Sequence, residues 1–440
     1  MSDVFDGVYA KQVSKNDFRE IGSSGLVQYG GEVKDDFLRA LQGRQAYANY
    51  RQMADNDPVI GASLHAIEMM IRGVDWTVEP VETEDQKAVD VAEFCASCLK
   101  DMSQSWEDTL SNILSMLVYG FSYHEIVYKR RMGRTGKSDT DSKHTDGLIG
   151  WRKLALRNQN TIYKWDIEKN GGINGAFQQD IYAKMSSSLV FIPIEKALLF
   201  RTSTKMNNPR GRSVLRNAFV PYYMKSKLQE LEAIGVERDL AGMPIALVPP
   251  HLLSANATSQ ESAALNEIKR IVRNIKRDEQ EGIVFPLAYD DDGNLAYDLK
   301  LLSTGGARQF STSDIINRYD SRIAMSLLSD FLLLGHEQVG TQALSVSKIQ
   351  LFTDSLNAWL SGISDVVTKF GFTRLLKING FNEELTPTLR YSPPRNINLE
   401  TLSKYIQNLS GAGAMLFPDE NLESYLREVA GLPAEQSDEV

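Results

Sequence analysis

The sequence predicts an α+β chain in which two long helices bracket a small inserted module. Three observations carry that reading. Helical spacing dominates from Asp57 to Tyr119, period-two patterning takes over from Gly120 to Thr202, and two extended helical patterns flank about sixty residues that have strand, helix and strand signals of their own. With 440 residues and 42% hydrophobic content the chain can bury a sizeable core, and length alone is compatible with two to four domains.

Residues 1–45 are polar and punctuated by glycine, which predicts an N-terminal arm that orders only against something else. Asp57-Pro58 then opens a helix with Ile60, Leu64, Ile67 and Ile71 at three-to-four spacing, and Gly73 closes it ahead of a strand over Asp75–Glu79. Two more helices are expected at 84–102 and 106–119. In the first, Val89, Ala92, Cys95 and Leu99 share a face, so Cys95 reads as core and Cys98 as an incidental neighbour. These are the only two cysteines, and no second pair or nearby histidine completes the four ligands a zinc site needs. Strands follow at 121–131, 148–158, 161–167, 175–183, 187–194 and 196–203, a largely antiparallel sheet.

The first long helix is expected from Gly211 to Ala241, reaching roughly 40 Å at about 1.5 Å per residue. The second is expected from Ser311 to Leu334. Between them, a helix over 261–280 puts Lys269, Arg270, Arg273, Lys276 and Arg277 within nine residues, with Leu265, Ile268, Val272 and Ile275 on the opposite face. In a chain of net charge −9 this is a local basic face, suited to phosphate or an acidic partner; a solvated helix face is the plainer alternative. Asp292-Gly293 reads as a hairpin turn, and the acidic run around it lacks the ligand spacing of a calcium loop. After a short polar loop, His336–Gln342, comes a helix in which Ile349, Phe352, Leu356, Trp359, Ile363, Val366 and Phe370 form an apolar seam, either core or a subunit contact. The tail shows a strand over Thr386–Tyr391 and helical patterns near 398–410 and 419–430.

Catalytic motifs are absent. Gly136-Lys137-Ser138 matches the second half of a phosphate-binding loop, but Arg131 stands where the first glycine belongs, and the following segment is a polar loop between strands instead of an apolar helix. The five histidines are scattered, with no His-Glu-x-x-His and no Gly-x-Ser-x-Gly. The N-terminus has no apolar run of the signal-peptide kind, no window is apolar enough to span a membrane, and assembly in the cytosol is expected.

The order of elements, together with four local stretches, resembles the portal proteins of tailed double-stranded-DNA phages, particularly their Mu-like branch. Asp57–Ile60 through Gly73–Pro80 is similar to the family's early helix and strand. Tyr119-Gly-Phe-Ser-Tyr-His-Glu-Ile126 resembles its entry into the wing sheet, Asn208-Pro-Arg-Gly-Arg-Ser-Val-Leu215 the loop that launches its first stem helix, and Gly242-Met-Pro-Ile245 the stem-to-clip junction. The likeness covers roughly residues 45–380, and the order of the stretches carries it.

The resemblance implies the following division: arm 1–45, wing 46–211, stem helix 212–241, clip 242–310, stem helix 311–334, tunnel loop 335–345, wing helix and return 346–385, and crown or tail 386–440. It implies a ring, expected at twelve subunits, at one capsid vertex, assembled in the host cytoplasm. Through it double-stranded DNA passes without sequence readout, and to it terminase, the major capsid protein and a neck or adaptor protein bind. It implies no cofactor, no membrane and no catalysis by the chain itself. His336, Glu337, Gln338 and Thr341 of the tunnel loop are then expected nearest the DNA, with Lys269, Arg270, Arg273, Lys276 and Arg277 as a clip face toward DNA or a partner. An acidic chain suits a conduit that must not grip its cargo, because each phosphate neutralised by a cation tightens binding. The alternatives are another virion structural protein, a coat or scaffold, or a nucleotide-dependent enzyme using Gly136-Lys137-Ser138.

Overall fold

The computed structural model describes residues 22–34, 36–137, 140–180, 188–241, 243–254, 257–274, 289, 298–302, 311–329 and 342–393. The chain divides into two units, Asn217–Ser326 and the remainder.

The larger unit begins with a short hairpin, β1 (Gln28–Tyr29) and β2 (Glu32–Val33), and three helices of the core: α1 (Gly43–Asn56), α2 (Pro58–Arg72) and, after β3 (Trp76–Glu79), α3 (Gln86–Lys100). The arm expected to end at residue 45 is therefore partly built into the body: Val33 and Leu41 are buried, and Trp165 N–H donates to Gly31 O at 2.9 Å. Helix α1 is an element the sequence reading lacked. The start of α2 follows from its sequence: Pro58 sits where a missing N–H costs nothing, and Asp57 Oδ1 accepts from the amides of Val59 (3.0 Å) and Ile60 (3.1 Å). In α3 the buried face is broader than expected and takes in Phe94 and Cys98 as well as Cys95; Cys98 is fully buried beside the Arg131 guanidinium, so it is core and not an incidental neighbour. Burial pushes both thiols well above their ordinary range, most strongly at Cys95.

Helix α4 (Trp106–Tyr119), capped by Ser105, leads into β4 (Phe121–Arg130). The period-two region forms two separate three-stranded antiparallel sheets where one sheet was expected. In the first, β4 lies between β5 (Ile149–Arg157) and β9 (Ala197–Arg201); in the second, β7 (Ile173–Gln179) lies between β6 (Ile162–Ile167) and β8 (Leu189–Pro193). Alternation reports which face a residue takes and says nothing about which strands pair. Strand β4 is buried on both faces: Phe121 and Tyr123 join the core over the second sheet, while Ile126 joins the main helical core. The Tyr123 hydroxyl donates to Ile192 O at 2.8 Å and ties the sheets together.

His124, also on β4, is fully buried. Its Nδ1 lies 3.3 Å from Leu154 O, its ring meets Phe200 edge-on at 5.5 Å, and Nε2 has no hydrogen-bond partner among the described residues. Desolvation lowers its pKa from 6.5 to about 4. Between those two values the unfolded chain binds a proton that the folded chain refuses, so stability is present above 6.5 and falls with pH toward 4. The loss is on the order of 3 kcal/mol. Urea titrations at pH 7 and pH 4.5 are expected to show a drop in wild type that is clearly smaller in His124→Gln.

Farther along, α8 (Gln342–Val366) packs on the main core, followed by a π-type turn (Val367–Phe372), α9 (Thr373–Asn379) and β12 (Thr388–Tyr391). The apolar seam differs from the expected one: Phe352, Leu356, Leu360, Ile363 and Val367 are buried, Trp359 and Val366 lie at its edge, and Phe370 is exposed. The extra residue per turn in the π segment rotates Phe372 inward, where it stacks on Trp151 at 5.6 Å. Strand β12 pairs antiparallel with β3, which ties Thr388–Tyr391 into the larger unit. The expected helices at 398–410 and 419–430 lie outside the described residues.

The smaller unit holds α5 (Phe219–Ala241), β10 (Met243–Leu247), α6 (Ser259–Asn274), β11 (Asp298–Leu302) and α7 (Thr312–Ser326). Strands β10 and β11 pair antiparallel over five residues. The Asp292-Gly293 turn lies outside the described residues.

Candidate functional site

Helices α5 and α7 lie against each other, and the pairing is antiparallel. Lys225 Nζ is ion-paired with Asp320 while, two turns on, Glu232 accepts from the Thr312 hydroxyl, so rising numbers on one helix meet falling numbers on the other. Lys225 is 4% exposed, and its buried ammonium requires that carboxylate.

Both helices are shorter than expected. Residues 212–218 are not part of α5: the Ser213 hydroxyl donates to Val118 O (2.5 Å) and accepts from Leu215 N (3.0 Å), and Arg216 is paired with Asp36, which ties this stretch to the larger unit. Helix α5 starts only at Phe219, where Pro221 still fits the first turn, and its 23 residues span about 35 Å. Helix α7 stops at Ser326 instead of continuing to Leu334. Leu328 has φ +57°, and the Ser329 hydroxyl meets that of Ser63 on α2 at 2.7 Å.

The side of α5 turned away from α7 is apolar and uncovered. Val220, Tyr223, Met224, Leu231 and Ile234 are 38–63% exposed, and 220, 224, 231 and 234 recur at helical spacing with Lys227 between them. Such a stripe on a helix already packed on its other side needs a second cover.

On α6 the expected basic face is partly in view. Lys269 and Arg270 are exposed, and Arg270 is held by Glu267 at 2.6 Å, which neutralises part of the positive charge locally. Arg273 lies on α6, with its side chain outside the described residues, as are Lys276 and Arg277. Leu265, Ile268 and Val272 are half-buried. His336, Glu337, Gln338 and Thr341 also lie outside the described residues. Residues 342–345, expected in that loop, are the first turn of α8.

The glycine-rich stretch between β4 and β5 folds back on itself. Thr135 donates to Asp141 Oδ1 through its amide (2.7 Å) and its hydroxyl (2.9 Å), and Gly133 N–H donates to His144 O at 2.8 Å. These bonds hold the Asp141 carboxyl below its usual range. A carboxylate of the chain itself therefore occupies donors that a phosphate loop would turn outward. Ser138 lies outside the described residues. Among the described residues no group of acidic, histidine or cysteine side chains is placed to hold a metal, and no helix is long and apolar enough to cross a membrane.

Two of the quoted stretches meet face to face. Gly120 ends α4 with φ +92°, and a methyl group on it would run into the backbone of Arg210, Arg212 and Ser213; Gly211 has φ +56°, and a methyl there would strike Gly120 O. The two backbones approach so closely that neither position has room for a side chain. Gly211→Ala is expected to cost about 2 kcal/mol or more from left-handed strain and displacement. Gly136→Ala, at φ +78° with open space around it, is expected to cost about half that. Paired urea midpoints check the difference.

An α+β body whose chain is interrupted by an antiparallel helical pair and its own small module is the architecture of a portal-type subunit. The family model for the portal protein of Mu bacteriophage matches residues 47–432, and the chain belongs to that family. No curated protein sequence matches it. Among solved structures it is similar to the neck of an empty GTA particle computed with C6 symmetry (11% identity, 89% of this chain and 95% of that chain, TM-score 0.49). It is also similar to the same neck in the native particle, computed with C12 symmetry (11% identity, 88% and 94%, TM-score 0.47). A third is an HK97-family phage portal protein from Corynebacterium diphtheriae (12% identity, 78% and 94%, TM-score 0.40).

Proposed function

We propose that the chain is the subunit of a closed ring, expected at twelve copies, that sits at one capsid vertex and serves as the channel for DNA packaging and ejection. Terminase, the major capsid protein and a neck or adaptor protein are its partners in this reading, double-stranded DNA passes without base readout, and the chain itself performs no catalytic step. Assembly in the host cytoplasm precedes its place in the virion.

Membership of the portal family supports this reading. The single observation that carries the ring is the uncovered apolar side of α5: a helix that buries one side against α7 and leaves Leu231 63% exposed on another is placed to meet a second copy. A heterologous contact of this kind generates a ring when its rotation closes on itself and an open filament when it does not. The tunnel-loop residues His336, Glu337, Gln338 and Thr341 remain the proposed points nearest the DNA, and Lys269, Arg270, Arg273, Lys276 and Arg277 the proposed face toward DNA or a docking protein. Sedimentation and negative-stain microscopy of the purified chain test the reading: a single annular particle supports it, whereas closed shells point to a coat or scaffold protein.

A further inference from the structure

The larger unit contains a cavity of about 320 Å³ where the Asn208–Leu215 stretch meets α1 and the segment before it. Four cationic side chains, Lys205, Arg210, Arg212 and Arg216, line it against one carboxylate, Asp36. Arg216 spends its charge on Asp36, with Nη2 to Oδ1 at 3.0 Å. Arg210 is fixed by neutral acceptors, Val33 O (2.9 Å) and Gly43 O (3.0 Å), and by the Tyr47 ring, so its positive charge is positioned without being neutralised. Lys205 is exposed at the rim, next to Met206 and Asn207, which both hold left-handed backbone (φ +53° and +50°).

Phe37, Leu41, Tyr50 and Tyr119 provide an apolar lining, in which Leu41 and Tyr50 are buried and Phe37 is 81% exposed. A lone oxyanion would answer the charge but fill little of this volume and leave the exposed Phe37 ring at its edge uncovered. A duplex backbone brings phosphates without an apolar group. The lining asks for carboxylates with an aromatic side chain beside them, which arginine forks and an aromatic floor recognise together.

The chain carries one such pattern near its start, Asp3-Val4-Phe5-Asp6. Ser24 stands against Gly171, whose carbonyl accepts from Asn207 Nδ2 at 2.6 Å, so the chain enters the described fold beside the rim of the cavity. The residues between Asp6 and Gly22 can span up to about 50 Å, enough to reach it. We propose that this cavity is a docking site for an acidic peptide with an aromatic anchor, and that its occupant is the Asp3–Asp6 segment of this chain.

The test uses a fluorescent peptide of residues 1–12 and the full chain carrying Asp3→Asn, Phe5→Ala and Asp6→Asn, so that the chain's own segment does not compete. Anisotropy is expected to show saturable binding that weakens tenfold or more in Lys205→Glu, and measurably in Tyr50→Phe, which keeps the packing and removes the hydroxyl. A peptide with both aspartates changed to asparagine is expected to lose the same tenfold. Absence of binding, affinity unchanged in Lys205→Glu, or displacement of the peptide by equimolar inorganic phosphate or duplex DNA would each overturn the assignment; the last would identify the cavity as a phosphate site.

Discussion

Leu231→Asp on α5 is expected to reduce the assembled particle to single chains at micromolar concentration while leaving the helical signal of the chain intact. Leu231 is 63% exposed on the isolated chain, so the substitution removes no intrachain packing of consequence. In a ring the same position is dry, and a carboxylate buried there without a partner costs about 3 kcal/mol or more. That corresponds to a factor of about 100 in the dissociation constant of each contact. Glu230→Gln, one residue away and paired with Lys227 in solvent, is the control, and its particle mass is expected to match wild type. Sedimentation velocity reads both. If Leu231→Asp sediments like wild type, α5 is not the subunit contact.

Asp101→Ala is expected to be the most destabilising single change in the larger unit, at about 3–5 kcal/mol. Lys129 on β4 is 2% exposed and its ammonium meets Asp101 Oδ2 at 3.1 Å; the same carboxylate accepts from the Ser142 hydroxyl (2.6 Å) and the Lys143 amide (2.9 Å). Burial pushes the Asp101 carboxyl upward, and these hydrogen bonds outweigh it and hold the group below its usual range. Its stabilising effect is therefore present above the unfolded carboxylate pKa and lost as pH falls below it, the same direction as for His124. Removing the carboxylate strands a buried cation and frees the β4–β5 loop. The double replacement Asp101→Leu with Lys129→Met is expected to recover much of the loss, because an apolar pair carries no desolvation penalty. Urea midpoints of the three variants decide it.

How much of this was legible in the sequence depends on the residue. The six central strands and the start of α2 could be read directly, because period-two patterning and an Asp-Pro cap are local signals. Helix α1 was missed because Gly43–Asn56 is mostly polar and small, and its buried side rests on a few residues such as Tyr47, which packs on Tyr119 and Phe121 far away in sequence. The start of α5 was placed too early because Ser213 and Arg216 are helix-compatible residues captured by Val118 and Asp36, and no local pattern records such partners. The seam of α8 slipped because a straight helix turns every 3.6 residues, so its buried side drifts off strict heptad spacing already at Leu360, before the π turn that begins at Val367 resets it for Phe372.

Of the functional features, the Gly120 and Gly211 stretches were visible as resemblance, but their reason was not: a glycine whose role is close approach leaves no side chain to read. The cavity was hidden for a related cause, since Asp36, Leu41 and Tyr50 come from the arm and the missed helix. The apolar residues of α5 were in plain sight, and only the pairing with α7 reveals which of them remain uncovered.

The central claim, that this chain is a ring subunit, is tested most directly by the mass and symmetry of the purified wild-type particle. Analytical ultracentrifugation with class-averaged negative-stain images is expected to show one annular species of about 0.6 megadalton with a central opening, as twelve chains of 49.3 kDa would give. A stable 49 kDa monomer at micromolar concentration, with no annular class, would contradict it.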